Sequence, residues 1–336
     1  MKKSIIFNPF TPIPKSEKSH IRGWALMWAQ RLDADIATKE TDLLGYENIY
    51  IDHGVNFHGS LNLFGGFNDD IVSNCYNLME AVDNEAKLFS LDWKIKDCNY
   101  ISQIEKRIGA KTTSEMVNFD FLEKFEKILN KAKYLPMESL NLDKWIIGDS
   151  HTLAFSTKDQ AITRLNGKTL YSVICKSGLD SFLHYQNKPK NVKEITLCLG
   201  SIDIRFHLLR FHLLRLKTFT AKEFADLYAK EIVKWQNFYN IPIKVCAPVP
   251  IEHELRKLPK TGQFEGQNFY GARWERLKFT FDFIKYLSDY CFDFDLIKPP
   301  KEWYVMPGDE YAKEIMELHS SVHIAPKYYR SIYNWN

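Results

Sequence analysis

The chain has no uninterrupted apolar run near the roughly 18 residues that a membrane-spanning helix needs, and no Cys-x-x-Cys pair. It also lacks the Gly-x-Gly-x-x-Gly spacing of dinucleotide sites and any P-loop. Its six cysteines are scattered over 336 residues, which excludes a disulfide framework or a dense zinc site. Cys198 and Cys246 fall inside apolar runs, where cysteine acts as a small hydrophobe. No charge of either sign dominates: 45 basic against 42 acidic residues give a net +3, so the total points to no polyanion partner. After Met1-Lys2-Lys3 the apolar run Ile5-Ile6-Phe7 stops at Asn8-Pro9, too short for a secretory leader. These absences point to a soluble, cytoplasmic protein without a membrane partner.

What is present is core-forming material. Hydrophobic residues make up 45% of the chain and aromatics 14%, enough to fill packed cores and exclude disorder. The length suits two domains. The first part reads as strand Ser4–Phe7, helix His20–Leu32, strand Asn48–Ile51, loop Asp52–Asn68, helix Asp69–Val82 and strand Lys87–Leu91, then an amphipathic helix Phe119–Leu135. That rhythm predicts an open, Rossmann-like α/β layer over residues 1–140. From residue 141, strands are expected at Trp145–Ile147, Leu170–Ile174, Glu194–Leu199, Ile243–Val249 and Phe294–Ile297. Helices are expected at Phe206–Leu216, Ala221–Tyr239 and Ala272–Tyr290. Crossovers of that length favour a parallel sheet in residues 141–336.

In such a sheet, chemistry gathers where strands end at the carboxyl edge. Three expected strands run into small or polar residues there: Gly148-Asp149-Ser150-His151, Cys175-Lys176-Ser177-Gly178 and Gly200-Ser201-Ile202-Asp203-Ile204-Arg205. A late His323 follows in Ser320-Ser321-Val322-His323. A serine on a strand-to-helix turn with a histidine is material for acyl transfer, the histidine taking the serine proton and backbone N–H groups holding the oxyanion.

These blocks, in this order, resemble the SGNH (GDSL-like) hydrolases and acyltransferases over residues 141–336. The resemblance implies a three-layer α/β/α domain around a parallel sheet and a cofactor-free, metal-free ester hydrolase or O-acyltransferase. Ser150 is the nucleophile it implies and His323 the base, with Asp149 beside them. Gly178 and Gly200 fall in the blocks that supply oxyanion contacts; Asp203, Arg205, His207 and His151 are the further substrate-binding candidates. His151 after the Ser is similar to members that add or remove acyl groups on glycans. Two positions depart from the pattern. Ile202 stands where an oxyanion-binding Asn is usual, and Ser320 where an Asp orients the histidine. Arg205 is a candidate replacement for the first; Glu317 and His319 are candidates for the second.

Blander readings stand beside these. Asp149 and Ser150 also suit a helix cap, and Asp203 suits a structural acid paired with Arg205. Residues 205–214 repeat Arg-Phe-His-Leu-Leu in tandem, and no acid occurs from Ile204 to Lys222. That local basicity favours an anionic or glycan small-molecule substrate, nucleic acid being the less favoured partner. In the first part, Asp52, His53, Asn56 and His58 form a candidate ligand loop, with glycines allowing close backbone approach. Two rival functions remain open: a two-domain glycosyltransferase using a nucleotide sugar, and a non-catalytic SGNH-fold binding protein.

Overall fold

The computed structural model describes residues 3–9, 13–52, 69–92, 94–97, 119–208, 218–252, 271–318, 322–333 and 335. It is an α/β protein with two five-stranded parallel sheets flanked by helices. The chain divides into two compact units, Met1–Ser139 and Leu140–Asn336.

In the first unit, β1 (Ser4–Phe7), α1 (His20–Leu32), β2 (Asp35–Ile36), β3 (Asn48–Ile51), α2 (Asp69–Asp83), β4 (Lys87–Leu91), α3 (Phe119–Leu129) and β5 (Lys133–Leu135) follow in order. The sheet order is β2-β1-β3-β4-β5, parallel throughout. On α2, Val72, Cys75, Leu78, Met79 and Val82 recur at three- and four-residue spacing and are buried with Ile49 and Ile51 of β3. This is the 3.6-residue period of a helix with one face in the core. The helix expected over Phe119–Leu135 is shorter. Its apolar stripe, Phe121, Phe125, Ile128 and Leu129, ends at Leu129, and a turn returns the chain as edge strand β5 beside β4. Pro136 holds Leu135 extended, which suits the strand and not the helix.

The second unit runs β6 (Lys144–Gly148), α4 (Thr152–Phe155), β7 (Gln160–Arg164), α5 (Leu179–His184), β8 (Glu194–Cys198), α6 (Ala221–Tyr239), β9 (Ile243–Cys246), α7 (Arg273–Ser288), β10 (Asp295–Ile297), α8 (Lys301–Val305) and α9 (Gly308–Glu314). Its sheet order is β10-β9-β8-β6-β7, again parallel. Trp145, Ile146 and Ile147 of β6 and Ile195 and Leu197 of β8 are fully buried, as strands covered on both faces require. Helix α6 carries a reciprocal cap between Thr220 and Glu223, and its Phe224 meets Phe283 of α7 with ring centroids 5.6 Å apart.

The expected strand Leu170–Ile174 is helical, over residues 170–177, with a π-helical stretch at Ser172–Ser177. Short apolar runs do not distinguish strand from buried helix. Here Asp203 decides it: its carboxylate accepts from Leu170 N–H (2.7 Å) and Tyr171 N–H (2.9 Å), capping a helix start. Two short strands absent from the sequence reading, β2 and β7, also belong to the sheets.

In each unit the first strand lies between the second and the third. The chain therefore turns to opposite sides of the first strand, and a crevice opens at the carboxyl ends of the first and third strands. In the second unit these are β6 and β8. There Gly148 packs directly on the β8 backbone: a Cβ added to it would sit 1.9 Å from the Cys198 carbonyl oxygen. Backbone cannot yield as a side-chain tip does. Gly148→Ala is accordingly expected to cost about 3 kcal/mol or more in denaturant unfolding. Stability within about 0.5 kcal/mol of the parent would refute the close packing at this point.

Candidate active site

Asp149 leaves β6 with its N–H donated to Cys198 O (2.8 Å), so the turn starts from a fixed point on β8. Thr152 closes the turn: its N–H (3.2 Å) and its hydroxyl (2.6 Å) both donate to Asp149 O. Ser150 sits at the top of that turn, partly exposed. Its hydroxyl oxygen lies 2.8 Å from His323 Nε2, in hydrogen-bond contact across 173 residues of chain.

Two ties carry His323 there. An antiparallel bridge pairs Met316 with Ile324. Glu317 N–H donates to His323 O (3.0 Å) and Ala325 N–H to Ile315 O (2.7 Å). Further on, Arg330 N–H donates to Ala154 O on α4 (2.8 Å), and Trp335 meets Phe155 edge-on at 4.9 Å. The C-terminal segment is thus fastened to the short helix that follows Ser150.

The bridge also sets Glu317 beside His323. Glu317 Oε2 lies 3.7 Å from His323 Nδ1, an ion-pair separation beyond hydrogen-bond length. Glu317 is 7% exposed, and burial pushes its carboxyl up to about 8, against the pull of Arg164 at the end of β7. Glu317 therefore gains its charge only above neutral pH.

Asp149, expected beside Ser150 and His323, makes its side-chain bonds to His151. Its Oδ1 accepts from His151 N–H (2.8 Å) and His151 Nδ1 (2.9 Å), and no hydrogen bond among the described residues joins it to Ser150 or His323 side chains. His151 is 2% exposed. Its Nε2 lies 2.8 Å from Val322 O and 2.9 Å from Arg205 Nη1. Arg205 in turn donates from Nε to Glu252 Oε2 (2.8 Å), and both are sealed, at 1% and 0% exposure. Arg205 is therefore a buried strut and not a group open to substrate. Glu252 escaped the sequence reading. It follows the β9 run as Pro250-Ile251-Glu252, a polar residue beyond a strand's carboxyl end, the same signal that marked the other blocks.

Asp203 is fully buried and pairs with the Leu170 and Tyr171 amides, not with Arg205. Burial raises its carboxyl to about 7 against those amides, and the Asp149 charge adds to the rise. Asp203 is thus structural. Gly200, at φ 107°, begins the segment that leads to it and packs near Leu170 and Phe283. Gly178 adopts φ 74°, ψ 150° between the π-helical stretch and α5, a conformation open essentially to glycine alone. No hydrogen bond among the described residues links it to Ser150 or His323. His207 ends the second π-helical stretch, Asp203–His207. Ile202 is partly exposed.

Asp52 is buried at the carboxyl end of β3, in the crevice position of the first unit. Near it, burial pushes Asp92 up to about 7, opposed by a hydrogen bond from Trp28 Nε1 and helped by the Asp52 charge. His53, Asn56 and His58, most of the 205–214 repeat, His319 and Ser320 lie outside the described residues. Among the described residues no group of three or more His, Cys, Asp and Glu side chains is placed to hold a metal ion, and no helix is long and apolar enough to cross a membrane.

No known family model matches the chain, and no curated protein matches it. Among solved structures, a chain of 15% identity resembles it over 56% of this chain and 93% of its own, with a TM-score of 0.33. A likeness that slight leaves the functional argument to the site itself.

The buried carboxyls carry a pH dependence of fixed sign. Glu317 holds its proton to about 8 in the folded chain, against 4.5 ordinarily, and Asp203 to about 7 against 3.8. Between those values the folded state binds more protons than the unfolded one, so stability falls as pH rises. The denaturation midpoint is expected to decline from about pH 5 to about pH 9, and less steeply in Glu317→Gln. Parallel declines in the two proteins would show that Glu317 is not the buried acid described.

Proposed function

We propose that the second unit is a serine acyl-transfer enzyme of SGNH type, an ester hydrolase or O-acyltransferase acting on a hydroxylated small molecule or glycan. The observation that carries this reading is the 2.8 Å hydrogen bond from Ser150 to His323 Nε2 at the crevice between β6 and β8. A nucleophile and a base in contact, on a partly exposed turn at a strand's carboxyl end, is the arrangement that acyl transfer needs.

In this scheme His323 Nε2 takes the Ser150 proton as the hydroxyl attacks an ester carbonyl. The proton then passes to the departing alcohol oxygen, leaving Ser150 acylated. Water completes a hydrolysis and a second hydroxyl completes a transfer, each giving its proton to His323 as it attacks, and His323 returns that proton to Ser150 Oγ as the acyl bond to it breaks. The backbone N–H groups of Ser150 and Gly178 are the oxyanion donors that the resemblance offers, since Ile202 has no donor in its side chain. Glu317, 3.7 Å behind Nδ1, favours the imidazolium electrostatically once ionised. Its separation makes the site work mainly as a Ser–His dyad, with a rate below that of a fully oriented triad.

A second reading keeps one specific support. Both units have the same parallel strand order with a crevice at the first and third strands, which also suits a glycosyltransferase with one unit for each substrate. Stabilisation by a nucleotide sugar in a thermal-shift panel would favour it over the esterase.

Treatment with a fluorophosphonate is expected to label the protein once, at Ser150. Ser150→Ala should abolish the label and His323→Ala should slow it by about a hundredfold or more. A folded parent protein that stays unlabelled would sink the proposal.

A further inference from the structure

Resting on the Ser150–His323 reading, we propose that His151 is a positioning residue that holds His323 over Ser150 through the Val322 carbonyl. His323 reaches Ser150 from a segment whose backbone is tied on one side by the Met316–Ile324 bridge. On the other side, the contact made to Val322 is that of His151 Nε2, 2.8 Å from its carbonyl oxygen. The residue next to the proposed base is therefore held by the residue next to the proposed nucleophile. The two imidazole ring centroids sit 5.2 Å apart, tilted by 50°, close enough for one ring to set the other's place.

A carbonyl only accepts, so the Val322 contact is a hydrogen bond when Nε2 carries a proton. The Asp149 carboxylate likewise takes the proton on Nδ1. Arg205 Nη1, which only donates, lies 2.9 Å from the same nitrogen, so Arg205 and the Val322 carbonyl compete for Nε2, and the proposed hold is the state in which Nε2 donates to Val322 O. Glu252 fixes Arg205 by its Nε, which sets the guanidinium against His151 as a wall. Asp149, His151, Arg205 and Glu252 come from the turn after β6, the segment after β8 and the segment after β9, so three strand ends brace one ring. His151 meets no substrate in this account, being 2% exposed. This reverses its sequence-based assignment to substrate binding.

Two polar substitutions separate positioning from simple packing. In His151→Gln the amide nitrogen reaches the place of Nε2 and still donates to Val322 O. In His151→Asn the amide reaches only the place of Nδ1, so Asp149 is satisfied and Val322 is not. The rate of fluorophosphonate labelling is expected to stay within about threefold in His151→Gln and to fall about tenfold or more in His151→Asn. The second readout is the ¹⁵N signal of the His323 ring, assigned by its absence in His323→Gln. It should keep its parent position in His151→Gln and move in His151→Asn. Equal labelling in the two variants, or a His323 signal unmoved in His151→Asn, would overturn the positioning role. A parent protein that takes no label would sink the acyl-transfer reading alone, because the His323 ring signal still decides whether His151 holds that ring.

Discussion

The close approach of Gly148 to the Cys198 carbonyl, where β6 and β8 end side by side, is the constraint on which the proposed site depends. With no side chain at Gly148, the two backbones meet and Asp149 N–H bonds Cys198 O. The next residues are thereby aimed out of the sheet at the point where the chain's crossovers diverge. Ser150 projects into the crevice, and His151 turns inward to the buried ionic cluster. A larger residue at 148 would part the strands beneath both. The site thus rests on sheet packing before it rests on any catalytic group.

The other half of the site comes from the far end of the chain and is held by short-range devices. One antiparallel bridge sets Glu317 against His323, and a hydrogen bond from Arg330 and a ring contact from Trp335 fasten the tail to α4. Burial governs the chemistry available there. Burial keeps Glu317 protonated at neutral pH, since an ionised carboxylate loses more solvation than a nearby Arg164 returns. The fold places an acid behind the histidine, yet its surroundings withhold the charge until the pH rises.

The meeting of Ser150 with His323 was readable from the order of the blocks along the chain. Ser150 follows an apolar strand and precedes a turn, and His323 lies late in a block series that fixes its expected side of the sheet. Strands such as Asn48–Ile51 and helices such as His20–Leu32 were readable because their apolar spacing has one period. Leu170–Ile174 was not, because five apolar-rich residues fit a strand or a buried helix until Asp203 caps it from 33 residues away. Arg205 looked like an anion-binding group because its charge is visible in sequence, whereas its partner Glu252, 47 residues on, is set beside it only by the sheet. Glu317 was one of two candidates for the acid beside His323, and the Met316–Ile324 bridge is what sets it there. Burial and cross-strand pairing are properties of the folded sheet, and they decided which polar residues face the crevice and which brace it.

The central claim is that His323 activates Ser150 as an acyl acceptor. The most direct measurement is peptide mass spectrometry after a brief exposure to an activated acetate ester, quenched in acid. The account predicts one acetyl group on the peptide bearing Ser150 in the parent protein and its loss in His323→Ala. Acetylation confined to lysines, or equal occupancy of Ser150 in the two proteins, would contradict it.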